Sequence, residues 1–190
     1  MSAISDPVAS LLTRHRPRDP GEAADLDRSR DLAATAADPW LRSIPLHFTA
    51  SALVVHPASA RVLLRWHQRQ QAWLQVGGHG DPGETDPVAI ALREGHEETG
   101  LADLAPWPDA ALLQVAIVDV PARSDEPAHQ HADLRFLMAT GDPEAARPEN
   151  PEAPLRWLTV PQARELTAEG NVRDLLARAS LLLSAPAAPG

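Results

Sequence analysis

The sequence contains no cysteine, no lysine and no tyrosine. Without cysteine, the chain cannot form a disulfide, a thiolate metal site or a cysteine nucleophile. Without lysine, Schiff-base chemistry is excluded, and so is the phosphate-binding loop whose lysine reaches the β and γ phosphates. All 17 basic residues are therefore arginines, whose planar guanidinium suits bidentate contacts with phosphate or carboxylate.

Long hydrophobic segments are also missing. No apolar run approaches the roughly 20 residues that a membrane-spanning helix needs. Residues 1–7 lack the charged start and apolar stretch of a secretory signal, so we expect a cytoplasmic protein with no membrane partner.

The formal net charge of −9 argues against a nucleic-acid surface, which normally requires a basic face. A small anionic substrate remains compatible with this charge. A bound metal ion would be the largest local charge and can outweigh the overall field of the protein.

The most informative segment is an acidic run that follows a pair of glycines. In a helix, Glu94, Glu97 and Glu98 stand at i, i+3 and i+4 and project from one face. Like charges about 4 Å apart repel by about 4 kcal/mol at an effective dielectric of 20, and a cation would remove that cost. Carboxylate oxygens favour Mg²⁺ or Mn²⁺ over zinc, which prefers histidine and cysteine. The pattern therefore predicts a site for Mg²⁺ or Mn²⁺.

The ends of this helix are marked by capping residues. Asp86 is a good N-cap before Pro87, and Gly100 suits the position after the last turn, so we predict a helix over 87–99. Arg93 can pair with Glu97 four residues later. A second stripe is predicted to pack against the core, and it comprises Val88, Ala91, Leu92, Gly95 and Thr99. Its glycine indicates that another group approaches the helix backbone closely.

This segment resembles the Nudix box, whose family pattern is GX5EX7REUXEEXGU with U a bulky aliphatic residue. The matching residues are Gly78, Glu84, Arg93, Glu94, Glu97, Glu98, Gly100 and Leu101. The sequence departs from the pattern in two places: eight residues, not seven, separate Glu84 from Arg93, and Gly95 takes an aliphatic position. An extra residue inside the helix would rotate Glu84 by about 100°, so we expect it before the helix, at Thr85 or Asp86.

The resemblance implies a metal-dependent hydrolase that cleaves a diphosphate linkage in a nucleoside diphosphate derivative, such as a nucleotide sugar, ADP-ribose or an oxidised nucleotide. Glu94, Glu97 and Glu98 would hold Mg²⁺ or Mn²⁺, with a carbonyl oxygen from Gly78. Glu97, Glu94 and Arg93 form the expected catalytic set. The general base is one of these glutamates or an acid outside the box, and the sequence does not choose between them.

Strands mixed with flanking helices indicate an α/β domain. The resemblance sharpens this to an α/β/α sandwich around a mixed sheet over residues 44–184, after an N-terminal helical arm at 1–43 and before a mobile tail at 185–190. Predicted helices are 8–14, 22–36, 161–166 and 172–183, and predicted strands are 48–55, 61–66, 73–76, 111–120, 132–140 and 155–158. The arm either packs on the domain or mediates a homodimer.

Substrate contacts are predicted from three further places. Gly77 leaves bare backbone that a diphosphate could approach, although two glycines alone also suit a plain turn. Glu84 is a further candidate. On a strand, His129, His131 and Asp133 share one face, which Arg135 continues, and they could bind substrate, ligate a second metal or simply face solvent.

Two other functions use the same motif. The first is a non-catalytic domain that senses a nucleotide and signals through the arm, and the intact acidic trio argues against it. The second is an isomerase of isoprenoid diphosphates, which would normally need a cysteine that this chain lacks.

Overall fold

A computed structural model describes residues 7–123 and 126–185. Its helices are α1 (Pro7–Arg14), α2 (Pro20–Thr35), α3 (Pro87–Thr99), α4 (Val160–Leu166) and α5 (Gly170–Leu183). Its strands are β1 (Leu46–His56), β2 (Arg61–His67), β3 (Ala72–Leu74), β4 (Val76–Gly78), β5 (Ala105–Pro106), β6 (Gln114–Val120), β7 (His129–Ala139) and β8 (Leu155–Thr159). No helix within these ranges is both long and apolar enough to cross a membrane.

The strands form one mixed sheet around a central parallel pair. β1 and β7 run parallel over ten paired residues, from Leu46 opposite Gln130 to Val55 opposite Ala139. The other pairings are antiparallel: β2 and β4 lie against β1, β3 and β8 against β2, and β5 and β6 against β7. The parallel pair therefore brings residues that are far apart in the sequence next to each other.

Helices cover both faces of the sheet, because β1 alternates its side chains between two hydrophobic cores. Phe48 and Val54 join a larger core that contains Ile90 of α3, whereas Leu53 joins a second core that contains Leu175 of α5. The predicted α/β/α sandwich around a mixed sheet is confirmed. The sheet supplies the floor, and α3 one wall, of the site described below.

The N-terminal arm contributes to the larger core. Val8 and Leu12 of α1 and Leu26 of α2 are almost fully buried there, together with Trp40, which packs against Phe48. Packing on the domain is thus observed within one chain, while a homodimer through the arm stays a prediction. Of the predicted mobile tail, residues 186–190 lie outside the described residues.

Helix α3 has the bounds that its capping residues predict. Asp86 accepts hydrogen bonds from the backbone N–H groups of Val88 and Ala89, and Gly100 adopts a left-handed conformation after the last turn. The predicted close approach at Gly95 is made by Leu104, since a Cβ at this glycine would lie 2.9 Å from Leu104 Cδ1. The additional residue of the box lies before Pro87, as predicted, because the helix is unbroken from there onward.

Candidate active site

A polar cavity of about 510 Å³ opens beside the amino-terminal half of β7. Its lining includes Ser51 of β1, Gln75, Gly78 of β4, and Asp133 of β7. The loop after β6 and the start of α5 complete the wall, through Arg123 and Asn171 among others. The sheet, the loop after β6 and helix α5 thus surround a cavity that is lined by backbone and by charged side chains.

The three glutamates of α3 differ in exposure and in their partners. The Glu94 and Glu98 side chains are only 15% and 12% exposed, whereas Glu97 is half exposed. Arg93 donates from Nη1 to Glu94 Oε1 at 3.0 Å and to Glu97 Oε2 at 3.1 Å. Arg65 of β2 pairs with Glu98 at 3.0 Å. Two arginines therefore relieve the repulsion that the spacing of these carboxylates creates.

Burial dominates the electrostatics of the two inner glutamates. It raises the pKa of Glu98 to about 7, against the opposing effects of Arg65 and of the Gly77 N–H. It also raises the pKa of Glu94, which Arg93 opposes and the neighbouring Glu97 charge reinforces. These carboxylates lie where additional positive charge would stabilise their ionised forms.

Gly77 and Gly78 allow the sheet to approach this helix. The Gly77 N–H donates to Glu98 Oε2 at 3.1 Å, and its φ of +147° is one that side-chain-bearing residues rarely adopt. A Cβ at Gly77 would lie 2.4 Å from Ser51 Oγ, and one at Gly78 would lie 2.7 Å from the Glu94 carboxylate carbon. Bare backbone at both positions lets β4 fit between β1 and the acidic face of α3.

This donor set fits a hard divalent cation. Glu94 and Glu98 offer carboxylate oxygens that are mostly shielded from water, and Glu97 adds a more accessible one. The Gly78 backbone comes so close to the Glu94 carboxylate that a Cβ would not fit between them. Oxygen ligands of this kind suit Mg²⁺ and Mn²⁺. Arg93 pairs with Glu94 and Glu97, and Arg65 pairs with Glu98.

Glu84 lies before α3 and still reaches Arg93 despite the additional residue. Its Oε2 accepts from Arg93 Nη2 at 2.9 Å and from the Asp81 N–H at 2.9 Å, and the hydrogen bond from Arg93 lowers the pKa of Glu84. Arg93 Nη2 also donates to the His79 carbonyl at 2.9 Å. Glu84 thus fixes the arginine that orients Glu94 and Glu97. Its own carboxylate faces a separate surface groove, beside Trp40 and Gly80.

Asp133 and Arg135 form a buried network at the floor of the cavity. Asp133 accepts from Thr49 Oγ1 at 3.1 Å, Ser51 Oγ at 2.7 Å and Arg135 Nε at 2.7 Å. Arg135, only 2% exposed, also donates to Gln114 Oε1 and Asn171 Oδ1. Both residues line the cavity, but their charges are already paired with each other.

Four histidines meet at one end of the cavity. The Nε2 atoms of His47 and His79 are 3.1 Å apart, and those of His129 and His131 are 3.1 Å apart. Burial, with smaller contributions from neighbouring histidines and from Arg42, lowers the pKa of His79 to about 3 and that of His131 to about 4. Burial lowers the pKa of His47 as well. The rings of His47, His79 and His131 are therefore neutral near pH 7.

A protein-family model matches most of the chain and identifies the family. The NUDIX domain model matches residues 45–179, which include the whole sheet, the acidic helix and the cavity. The chain belongs to the Nudix family. It is accordingly a Nudix-type hydrolase that acts on phosphoric anhydride bonds, as the resemblance of the box predicts.

Other Nudix proteins are similar in sequence or in fold. A probable DHNTP pyrophosphohydrolase of Lactococcus lactis subsp. cremoris is 33% identical over 122 residues, which are 63% of this chain and 68% of the relative. The structure of the E. coli dihydroneopterin triphosphate pyrophosphohydrolase shares the fold with a TM-score of 0.54 and 19% identity, over 73% of this chain and 96% of that one. The crystal structure of the C. elegans Ap4A hydrolase matches with a TM-score of 0.56 and 19% identity, over 72% of this chain and 98% of that one.

The structure brings most of the predicted Nudix site residues to one region. Gly77, Gly78, His131, Asp133 and Arg135 line the cavity. Glu94 and Glu98 lie against these two glycines. Glu84 and Glu97 are joined to this group through Arg93, and His129 contacts His131. The catalytic and binding roles of all these residues stay predictions.

Sequence reasoning missed Arg65, His47 and His79 as site residues. A signal for His47 was present, because His47, Thr49 and Ser51 alternate along β1 and turn polar groups to one face. Their partners could not be identified from this alternation. His47 lies opposite His131, and Thr49 opposite Asp133, only because β1 and β7 are parallel neighbours 84 positions apart in sequence.

Proposed function

We propose that the chain is a Mg²⁺- or Mn²⁺-dependent pyrophosphohydrolase that cleaves a diphosphate linkage in a nucleotide-like substrate. The observation that carries the proposal is the close approach of the Gly78 backbone to the Glu94 carboxylate, which leaves no room for a Cβ, beside the mostly buried Glu98 at the edge of the polar cavity. Glu94, Glu97 and Glu98 would hold the ion. When bound, the metal supplies charge that stabilises phosphate oxygens and makes a water easier to deprotonate.

Residues of the chain orient the carboxylates, admit the substrate and accept a proton. Arg93 orients the Glu94 and Glu97 carboxylates, and Glu84 holds Arg93 from its other side. Because Gly77 and Gly78 lack side chains, a diphosphate can approach the backbone of β4. A glutamate of α3 or another acid at the cavity accepts the proton of the attacking water.

The cavity also offers a specific contact to the heterocycle of a substrate. Gln75 Nε2 donates to Asp133 Oδ2 at 3.3 Å, which directs the amide oxygen away from this carboxylate. That buried oxygen has no hydrogen-bond partner among the described residues. A ring N–H or amino group would satisfy it, which supports a substrate with a hydrogen-bonding base.

We consider two substrate classes, each with a hydrogen-bonding ring and a chain of phosphates. We propose a nucleoside diphosphate derivative first, of the nucleotide sugar, ADP-ribose or oxidised nucleotide type. A pterin triphosphate is the second candidate, favoured by the 33% identity with the probable DHNTP pyrophosphohydrolase. The pterin ring and the purine base both carry N–H groups that could donate to Gln75.

A substrate panel tests the proposal. Purified protein is incubated with Mg²⁺ or Mn²⁺ and each of ADP-ribose, nucleotide sugars, 8-oxo-dGTP, Ap4A and dihydroneopterin triphosphate, and the products are separated by ion-exchange chromatography. We expect metal-dependent release of a monophosphate or pyrophosphate from one class. A ligand that raises the melting temperature while none of the panel is cleaved would instead support the nucleotide-sensing alternative.

A further inference from the structure

We propose that His47, His79 and His131 form a second metal site, for a transition-metal ion of the zinc type, with one coordination position open to the cavity. The three residues come from β1, from the loop after β4 and from β7. One ring nitrogen from each lies within 4.8 Å of the other two. Over residues 7–123 and 126–185, this is the one group of potential ligands gathered so closely.

One pair of ring nitrogens in the cluster has nearly the spacing of tetrahedral ligands. Nitrogen atoms bound about 2.0–2.1 Å from zinc in tetrahedral geometry lie about 3.3 Å from one another. The His47 and His79 Nε2 atoms are 3.1 Å apart. This pair is within a few tenths of an ångström of the required spacing, and the donor nitrogen of His131 lies within 4.8 Å of both.

The other ring nitrogen of His47 is held as it is in known metal sites. His47 Nδ1–H donates to the Ile44 carbonyl at 2.9 Å, which leaves Nε2 as a lone-pair donor directed at the cluster. Histidine ligands typically donate their second N–H to a carbonyl or carboxylate, which fixes the ring and its tautomer. His47 is fully buried, so its ring cannot turn away into solvent.

A fourth histidine, His129, lies directly against His131. Its Nδ1–H donates to the Pro127 carbonyl at 3.0 Å, and its Nε2 lies 3.1 Å from His131 Nε2. His79 and His131 line the cavity. Three protein ligands with a fourth, exchangeable position are typical of zinc sites that bind water or a substrate. Such a position would face the same cavity as the acidic site.

The histidine site and the acidic site select different ions. Imidazole nitrogens favour zinc, copper, iron and nickel, whereas the carboxylates of α3 favour magnesium and manganese. The two sites therefore need not compete for one ion. A chain without the metal can satisfy each Nε2 contact with one N–H and one lone pair, so a purely hydrogen-bonded cluster is the alternative that the experiment must separate.

The test measures metal binding by spectroscopy, on full-length protein without a histidine tag. Chelator-treated protein is titrated with Co²⁺, and visible absorption bands report nitrogen coordination. We expect one Co²⁺ per chain, displaced by one equivalent of Zn²⁺. His79→Gln and His131→Gln are each expected to weaken binding by at least ~10-fold, since losing a ligand costs no less than losing an outer-shell partner.

Two control variants make the assignment specific. His56→Gln removes a histidine at the far end of β1, where its ring contacts Ser59, and is expected to bind Co²⁺ like the wild type. Glu97→Gln, on the acidic face, is expected to retain the bands as well. Binding that survives both cluster variants, or that Glu97→Gln abolishes, would overturn the proposal.

X-ray absorption at the zinc edge of the wild type provides a readout that needs no variant. We expect a shell of nitrogen or oxygen at about 2.0 Å with the multiple scattering of several imidazoles. A spectrum without imidazole scattering would reject the site, even if a cluster variant failed to fold.

Discussion

Arg93 connects most of the charged groups around the acidic helix. Its guanidinium contacts Glu84, Glu94 and Glu97. Burial acts to lower the pKa of Arg93, but the bonds and charges of Glu84 and Glu94 outweigh it and raise this pKa. The Arg93 guanidinium binds one oxygen of Glu94 and one oxygen of Glu97, and the other oxygen of each carboxylate stays available to a metal ion. The geometry of the acidic face is thus set before any ion binds.

Glu97→Gln tests the role of the most accessible carboxylate. We expect turnover to fall by at least ~100-fold, because the loss of one metal-binding charge removes several kcal/mol of transition-state stabilisation. The melting temperature should hardly change, since the side chain is half exposed. Steady-state kinetics on the substrate found in the panel measure the first effect and calorimetry the second. Glu165→Gln, an exposed residue of α4, serves as the control, and equal activity in both variants would refute the assignment.

Gly78→Ala tests the contact between β4 and α3. The new Cβ would lie 2.7 Å from the Glu94 carboxylate carbon, so the end of this flexible side chain must move. We expect at least a ~10-fold loss of turnover with little loss of stability, because only about one ångström of ligand displacement is needed to disturb catalysis. Gly170→Ala, where a Cβ meets nothing within 4 Å, is the matched control in the same assay. Unchanged activity in Gly78→Ala would show that Glu94 is not positioned by this contact.

Helix α2 protects the outer edge of the sheet. The Val115 N–H donates to Glu22 at 3.1 Å and the Ile117 N–H donates to Asp25 at 3.0 Å, so carboxylates take the place of a neighbouring strand. Open strand edges tend to pair with other chains, and natural proteins cover them. The N-terminal arm therefore has a structural role within its own chain, beyond the limits of the family model at residues 45–179.

Local signals were sufficient to predict the helices and the longer strands, but not the short strands β4 and β5 or the way the strands pair. Asp86, Pro87 and Gly100 gave the bounds of α3 because capping depends on residues adjacent in sequence. The parallel pairing of β1 with β7 depends on packing across the whole domain, and no local pattern specifies it. The acidic helix and the strand face of His129 and His131 were therefore predictable, while the meeting of His131 with His47 was not.

Leu26→Ala tests whether α2 and the sheet form one cooperative unit. Leu26 is 1% exposed within the larger core, so its truncation should cost about 2–5 kcal/mol of unfolding free energy. We expect a single denaturation transition that moves to lower denaturant with an unchanged slope. Leu181→Ala, at a leucine that is 63% exposed, should cost little by comparison. Two separate transitions would instead mean that the arm unfolds independently.

The buried carboxylate of Glu22 connects α2, near the start of the described chain, to the C-terminal helix α5. Glu22 of α2 accepts from Arg178 of α5 at 2.5 Å and from His15 at 2.9 Å, and its backbone partners are Arg18 and Val115. Burial alone would raise the pKa of Glu22, but these hydrogen bonds outweigh it and hold the pKa well below its ordinary value. Arg178 is itself only 3% exposed, so each charge depends on the other.

The low pKa of Glu22 predicts how global stability depends on pH. In the unfolded chain this carboxyl takes up a proton near pH 4.5, while in the folded chain it stays ionised to much lower pH. The unfolded state then binds more protons, so the stabilisation is complete above about pH 6 and declines as the pH falls from about 5 toward 3. We therefore expect the difference in unfolding free energy between wild type and Glu22→Gln to be widest near pH 7 and to narrow on acidification. Urea denaturation at each pH measures it.

Glu165→Gln separates this effect from general acid titration. All other carboxyls titrate alike in wild type and variant, so they cancel in the difference, and only a residue whose pKa changes on folding leaves a pH-dependent remainder. Glu165 is an exposed residue of α4, and its variant is the control, which we expect to follow the wild-type profile throughout. A difference for Glu22→Gln that stays constant from pH 7 to pH 3 would mean that Glu22 stabilises the fold through shape rather than charge. In that case the link between α2 and α5 would not depend on the ion pair with Arg178.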